Sequence, residues 1–384
     1  MGKVSIIVPT FKEAENIPEL TRQIDVALKK TKYKYEIIIV DDNSQDGIDQ
    51  KVKELEKNYP VKLKIRLNEK GLSSAVIAGF ELASGEIFLV MDADLSHPPE
   101  KIPEMLDKIS KENFDFVIGS RFVKGGSAEH FNIFRTLNAL VSRMIARPFT
   151  SVKDPMAGFF AFKSSLLEQK VKLNPLGFKI GLELLVKLNP RRVTEIPIQF
   201  QERLYGKSKL TLKQQILYLI HIWRLFRFKF RTLSEFIVFS LIGASGMVVD
   251  LSFVFISYDI LNLGMKLAEM LRSCRVFISY DILNLNFRVA RVIGFVFALT
   301  SNFMLNRKFN FPKNGHGIIK QYIRFFIVSL TGFAVNWTIS VYLYETRPFF
   351  NKYYLLAAFL GILGGLSVNF LGSKFYVFKQ VKEK

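Results

Sequence analysis

Four stretches in the second half of the chain, 236–256, 289–305, 323–344 and 354–371, are continuous enough in apolar residues to read as transmembrane helices. A bilayer core demands roughly 17–25 such residues per span. Nothing else in the sequence constrains the fold as strongly, because hydrocarbon satisfies no backbone polar group and leaves a lone spanning segment only the helix. The link between the second and third stretches carries Arg307, Lys308, Lys313, Lys320 and Arg324. The positive-inside bias sets such a link on the cytoplasmic side. Four spans return both termini to that side, so 233–384 reads as an all-α domain of four transmembrane helices. Asp250 in the first span is an ionisable group at membrane depth, a candidate for function or for helix packing.

The net charge is +20 although 49% of the residues are hydrophobic, and the two properties are segregated along the chain. A basic excess suits nucleic acid or an anionic membrane surface; the apolar half decides for membrane and against nucleic acid. The single cysteine, Cys274, excludes an intrachain disulfide and a multi-thiolate zinc site. No charged-then-apolar leader precedes the first strand, so the first half is expected to stay in the cytoplasm.

That first half alternates. Apolar, β-branched runs at 3–9, 35–40, 63–67 and 86–91 read as strands, and helical spacing predicts helices at 14–30, 48–58 and 70–83. Ser44 or Asp46 is expected to cap the second helix. Such alternation indicates a doubly wound α/β sheet, which binds ligands at the C-terminal ends of its strands. Asp41 and Asp42 end one strand, and Asp92 and Asp94 end another. The first pair can take donors of a base or ribose. The second can face a hard cation, Mg²⁺ or Mn²⁺, which prefers oxygen ligands and bridges to phosphates. Singly each is a cap or turn residue; the functional reading comes from both pairs meeting in one crevice.

Eight segments in order carry a more specific signal: VSIIVPTFKEAENI (4–17), IIIVDDNSQDG (37–47), EKGLSSAVIAGFELASGE (69–86), VMDADLSHPP (90–99), IGSRFVKGG (118–126), KDPMAGFFAFK (153–163), LNPLGFKIGLELL (173–185) and RLYGKSKL (203–210). Together they resemble family-2 glycosyltransferases of the GT-A fold, and within them the polyprenyl-phosphate (dolichyl-phosphate) mannose and glucose synthases. The resemblance implies a GT-A-type, Rossmann-like nucleotide-sugar transferase domain over 1–211. It implies a nucleotide site at Pro9, Phe11, Glu13, Val40, Asp41, Asp42, Lys70 and Ala93, closed by Arg203, Ser208 and Lys209. Asp92, Asp94 and Ser96 would hold the divalent ion, with Asp94 also catalytic, and Arg121 and Arg135 would hold the acceptor phosphate. Ser96 and Ala157 depart from the family, where Gln and Ser or Thr often stand.

The same resemblance implies inverting transfer of a hexose, mannose from GDP-mannose first, to the phosphate of a membrane polyprenol. A phosphate monoester has a second pKa of about 6 and is already nucleophilic at neutral pH. No side-chain base is required, and His97 reads as structural. The alternatives are glucosyl transfer from UDP-glucose, or a membrane half that translocates lipid-linked sugar. The absence of a QxxRW sequence weighs against a processive polysaccharide synthase.

Between the halves, residues 203–234 contain no acid, while Lys213, Arg224, Arg227, Lys229 and Arg231 are basic. Apolar Ile216, Leu219, Ile220, Trp223 and Phe226 keep helical spacing, so 212–232 reads as basic amphipathic interface helices. An ordinary helix packed on the first domain is the alternative. The second half resembles the GtrA-type domain and repeats internally. Phe236, Ser240, Leu241 and Gly243 recur 89 residues later, whereas Gly294, Leu299, Asn302, Phe303 and Phe311 recur 67 residues later. VFISYDILNL occurs twice, 22 residues apart, at 254–263 and 276–285. Removing 264–285 restores one period, so a 22-residue insertion is expected there.

Overall fold

The structure is a computed structural model. It describes residues 2–127, 133–169, 171–174, 176–177, 179–200, 212–256, 287–311 and 317–379. Arg203, Ser208, Lys209 and the 264–285 segment lie outside the described residues. The chain divides into two compact units, Met1–Lys229 and Phe230–Lys384.

The first unit is built on β1 (Lys3–Thr10), β2 (Lys34–Asp41), β3 (Val61–Ile65), β4 (Ile87–Val90), β5 (Phe116–Ser120), β6 (Phe160–Lys163) and β7 (Val193–Pro197). They form one seven-stranded sheet in the order β3-β2-β1-β4-β6-β5-β7. Every pairing is parallel except the two that β6 makes with β4 and β5. The sheet is therefore mixed, an α/β arrangement in which β6 alone of these strands runs antiparallel to its neighbours. β1, β2 and β4 are almost wholly buried, as runs rich in Ile and Val covered on both faces must be.

Helices α1 (Ile17–Lys29), α2 (Ile48–Leu55), α3 (Leu72–Leu82), α4 (Ile102–Ser110), α5 (Ile133–Ala146), α6 (Ile180–Leu188) and α7 (Leu212–Lys229) complete this unit. α1 buries Ile17, Leu20, Ile24 and Leu28, the i, i+3, i+4 stripe that fixes which face meets the sheet. On the other face Phe80, Phe88, Phe116, Phe160 and Phe162 pack ring on ring at 5.4–5.8 Å where direct neighbours touch. Such offset and edge pairs add to the area that each ring buries. The expected cap of α2 is corrected. Its N-cap is Gly47 in the left-handed region, with no side-chain cap, because Ser44 and Asp46 receive the backbone N–H groups of Lys12 and Ala14 instead.

The second unit contains α8 (Arg231–Val254), α9 (Phe287–Leu305), α10 (Ile318–Thr346), the short α11 (Pro348–Lys352) and α12 (Tyr354–Gly372). Among the described residues three segments are long and apolar enough to cross a membrane: Arg231–Ser252, Ile318–Thr346 and Tyr354–Val377. The remaining expected span, 289–305, falls within α9, a 19-residue helix outside those three. α9 and α12 each end in a five-residue π-helical turn, Asn306–Asn310 and Ser373–Val377. Phe311 and Phe378, just beyond the turns, stack with centroids 4.9 Å apart.

Candidate active site

β1, β2, β4 and β5 all run in one direction, so their C-terminal ends share one edge of the sheet. Antiparallel β6 begins at that same edge, with Phe160 opposite both Val90 and Ile118. A cleft of about 540 Å³ opens there. Sheet order sets its layout: residues after β1 and β2 on one side, those after β4 in the middle, and those after β5 on the other. Backbone strain gathers at the same tips. Lys12, Asn43, Gln45 and Leu95 all have φ between 53° and 61°, a left-handed conformation that costs a side-chain-bearing residue roughly 1–2 kcal/mol and clusters at functional sites.

On the first side Pro9, Phe11, Glu13, Asp42 and Lys70 line the cleft. The Phe11 ring is 36% exposed and has the ammonium groups of Lys12 and Lys70 at 5.7 and 6.0 Å from its centroid. Glu13 accepts a hydrogen bond from Asn16 Nδ2 at 2.6 Å. Asp42 is clamped by Arg66, whose Nε donates at 2.8 Å and whose Nη2 donates to the same oxygen, and by the Gly71 N–H at 2.7 Å. Val40 is buried in β2, and Asp41 turns inward, accepting from Thr10 Oγ1 and from the N–H and hydroxyl of Ser44. Neither of these two is on the cleft wall.

In the middle Asp92, Ala93, Asp94 and His97 line the cleft. Ser96 is fully buried; its N–H and hydroxyl both donate to Asp94 Oδ1, at 3.2 and 2.5 Å. The left-handed turn at Leu95 folds the chain back for those bonds. His97 is buried against Phe159 at 5.3 Å, and its Nδ1 accepts the Asp92 N–H at 3.0 Å. That bond leaves the ring proton on Nε2, 3.9 Å from Asp92 Oδ2. Burial lowers the imidazole pKa against the pull of Asp92 and Asp94, so His97 serves as a neutral wedge that shapes the turn. Gly158 lies beneath: a Cβ there would come within 3.3 Å of Asp92 Oδ2 and His97 Cε1. Among the described residues no group of three or more His, Cys, Asp or Glu side chains could hold a metal. Two carboxylates with hard oxygens nevertheless fit Mg²⁺ or Mn²⁺, which completes its shell with water and substrate phosphate.

On the far side Arg121 lines the cleft and is fixed by Asp154. Its Nε and Nη2 donate to the two carboxylate oxygens at 2.8 and 2.9 Å, and its backbone N–H adds a third bond. The guanidinium carbon of Arg143 lies 4.3 Å from the Phe122 centroid and that of Arg121 5.5 Å. Arg135 falls in α5, but its side chain is outside the described residues. Lys179, at the N-cap of α6, reaches the cleft. Burial first, and the Arg121 guanidinium second, pull its ammonium down to about 8. Arg66 and Arg143 gave no signal in the sequence, where each reads as an isolated solvated charge; Lys179 stands in the LNPLGFKIGLELL segment, which assigns it no role.

Residues 5–170 match the model of glycosyl transferase family 2, and residues 238–378 that of the GtrA/DPMS transmembrane domain. The chain is 37% identical to a dolichol-phosphate mannosyltransferase of Pyrococcus furiosus over 375 residues, 96% of this chain and 97% of that protein. The dolichol-phosphate mannosyltransferase of Saccharomyces cerevisiae is 41% identical over 236 residues, 59% of this chain and 88% of its own length. Among solved structures, glucosyl-3-phosphoglycerate synthase from Mycobacterium tuberculosis, in complex with Mn²⁺ and uridine-diphosphate-glucose, is similar with a TM-score of 0.45 and 16% identity, over 59% of this chain and 78% of that one. The chain belongs to the family of the dolichol-phosphate mannosyltransferases, with a family-2 glycosyltransferase domain followed by a GtrA/DPMS transmembrane domain.

Proposed function

We propose that the protein transfers mannose from GDP-mannose to the phosphate of a dolichol or related polyprenol, with inversion at the sugar C1. The observation that carries this reading is the division of the cleft. Phe11, Glu13 and Asp42 stand on one side of Asp92 and Asp94, and the cations Arg121, Arg143 and Lys179 on the other. The first side suits a nucleotide: Phe11 offers a face for stacking, and the Glu13 carboxylate suits the adjacent N–H donors of guanine. The second suits an anionic acceptor.

Asp92 and Asp94 would hold Mg²⁺ or Mn²⁺, with Ser96 bracing Asp94. A bound divalent ion supplies charge neutralisation to the departing diphosphate. Arg121 and Arg135 hold the acceptor phosphate in line with C1, which converts an encounter of two anions into an oriented pair. A phosphate oxygen forms the new bond to C1, the bond from C1 to the diphosphate oxygen breaks, and its electrons leave with GDP. Arg203, Ser208 and Lys209 belong to the nucleotide site by the resemblance of their segment to the family.

Two helices suit a lipid acceptor. α5 exposes Leu137, Leu140, Val141 and Met144, and α7 exposes Ile216, Leu219, Ile220 and Trp223. Both also contribute to the cleft, α5 through Asn138, Ser142 and Arg143 and α7 through Gln214 and Tyr218. Such apolar faces beside Arg224, Arg227 and Lys229 suit the headgroup region of a membrane. In this reading a catalytic domain over 1–211 stands on the cytoplasmic side, 212–232 lies at the interface, and 233–384 spans the membrane four times.

The test is transfer of radiolabelled sugar to polyprenyl phosphate, with GDP-mannose and UDP-glucose in parallel and with or without Mn²⁺. Metal-dependent lipid label from GDP-mannose, abolished in Asp94→Ala, is the expected result. Label from UDP-glucose alone replaces the donor assignment, and undiminished label in Asp94→Ala removes the catalytic one.

A further inference from the structure

The segment LNPLGFKIGLELL carries part of the family resemblance but does not by itself give Lys179 a role. Its place in the fold does. The first turn of α6 packs on the 157–158 turn so closely that a Cβ on Gly181 would sit 3.1 Å from the Ala157 carbonyl oxygen. Gly158, next in that turn, approaches Asp92. The N-cap residue of α6 is thus delivered to the cleft between the Asp92 turn and Arg121.

What surrounds the ammonium is unusual for a structural lysine. Arg121 opposes its charge, while Asp154 and Asp92 favour it. Asp154, however, is already taken by three N–H donors of Arg121. Among the described residues the Lys179 ammonium makes no hydrogen bond or ion pair; only its backbone carbonyl accepts, from the Glu183 N–H. A lysine kept for packing extends its head into water or pairs with a carboxylate. This one is half-buried beside a second cation, Arg121, in a cleft that Arg143 also lines. Like charges brought this close repel one another, and a bound anion offsets that repulsion.

We propose that Lys179 is a direct ligand of the acceptor phosphate, donating from Nζ to the phosphate that Arg121 also binds. The assignment rests on the glycosyl-transfer reading above and adds a residue to it. Arg121 is fixed as a planar fork by Asp154, whereas a lysine supplies a compact charge on a flexible stem. That combination lets Lys179 follow the phosphate as it approaches C1 and offset its repulsion from the donor diphosphate.

The test uses the full-length protein in detergent with polyprenyl phosphate, comparing wild type with Lys179→Met and Lys179→Arg. Initial rates are measured against each substrate, and GDP affinity is measured by calorimetry as a check on folding. Losing one charged hydrogen bond should lower kcat/KM for the acceptor roughly 10- to 100-fold in Lys179→Met, with GDP affinity unchanged and most of the loss restored in Lys179→Arg. An acceptor kcat/KM within about threefold of wild type in a Lys179→Met protein that binds GDP overturns the assignment. So does a loss confined to GDP binding. A wild-type protein that transfers no sugar from any nucleotide sugar overturns the function proposed above, and Lys179 with it.

Discussion

Asp42 shows how a single carboxylate shapes the nucleotide side of the cleft. Its side chain is 8% exposed and that of its partner Arg66 is 4% exposed. Arg66 also donates to Ser74, Glu69 and the Gly71 carbonyl, so one guanidinium ties the tip of β2 to the turn that starts α3. Removing one member of a buried pair typically costs about 3–5 kcal/mol. Arg66→Ala is therefore expected to lower Tm by several degrees and to raise the KM for the sugar nucleotide about tenfold or more. The KM for the acceptor should not move; a proportional rise in both would show general loosening of the unit instead. The pairing also explains which site residues were legible in the sequence. Asp92 and Asp94 announce themselves because strand, turn and both carboxylates lie within a few consecutive residues. Arg66 is 24 residues from Asp42, and Lys179 and Arg143 reach the cleft from separate helices. No local pattern distinguishes Arg66 or Arg143 from a solvated cation, and the segment around Lys179 does not say which of its residues faces the cleft.

At the level of elements, runs of Ile and Val made β1, β2 and β4 readable to within two residues. β6 was not read as a strand. It is four residues of FAFK, too short for a periodicity, and its antiparallel direction depends on neighbours distant in sequence. Glu36 shows a second tie that only the folded sheet displays. It lies in β2, buried, accepting from Ser5 Oγ, from the N–H and hydroxyl of Ser84, and from the ammonium groups of Lys62 and Lys3. Burial alone would raise its pKa, but the donors from Ser5, Lys62, Ser84 and Lys3 outweigh it and hold the carboxyl well below the usual value of 4.5. A depressed carboxyl contributes stability that is fully present above its unfolded pKa and is lost as pH falls toward the folded one. Glu36→Gln should therefore unfold at lower temperature near pH 7, and its deficit relative to wild type should shrink below pH 4.5. Scanning calorimetry from pH 7 to about 3 reads this, and a constant deficit would assign the loss to packing. The exposed faces of α5 and α7 give an element-scale test of the lipid reading. Leu140→Glu combined with Leu219→Glu should raise the KM for a membrane-embedded polyprenyl phosphate, while GDP affinity and transfer to a short water-soluble acceptor stay as in wild type. Equal loss on both acceptors would locate the damage in the cleft.

The second half of the chain carries an internal sequence repeat, and the second unit shows matching turns at equivalent places. The π-helical turns Asn306–Asn310 and Ser373–Val377 stand 67 positions apart, the spacing of the repeated Gly, Leu, Asn and Phe residues. Their contacts repeat as well. Arg307 Nε donates to Gln321 at 2.9 Å, and Lys374 Nζ donates to Thr232 at 2.7 Å; Arg307 and Lys374 are 67 positions apart, while Thr232 and Gln321 are 89 apart. A duplicated pair of helices would keep one offset, and we propose that 22 extra residues between α8 and α9, where VFISYDILNL occurs twice, break it. The turns that end α9 and α12 thus carry matching polar pairs. A chain lacking residues 264–285 is therefore expected to insert in membranes, to keep the Tm of the full chain within about 2 °C and to transfer sugar at a rate within about twofold of it. Sequencing the coding region from an independent source separates two origins: a single copy there makes the second an accident of cloning or reading, and two copies make it a recent tandem duplication. Loss of membrane insertion or of transfer on deleting the segment would instead make the second copy part of the working fold, and the unequal offsets a feature that selection has kept.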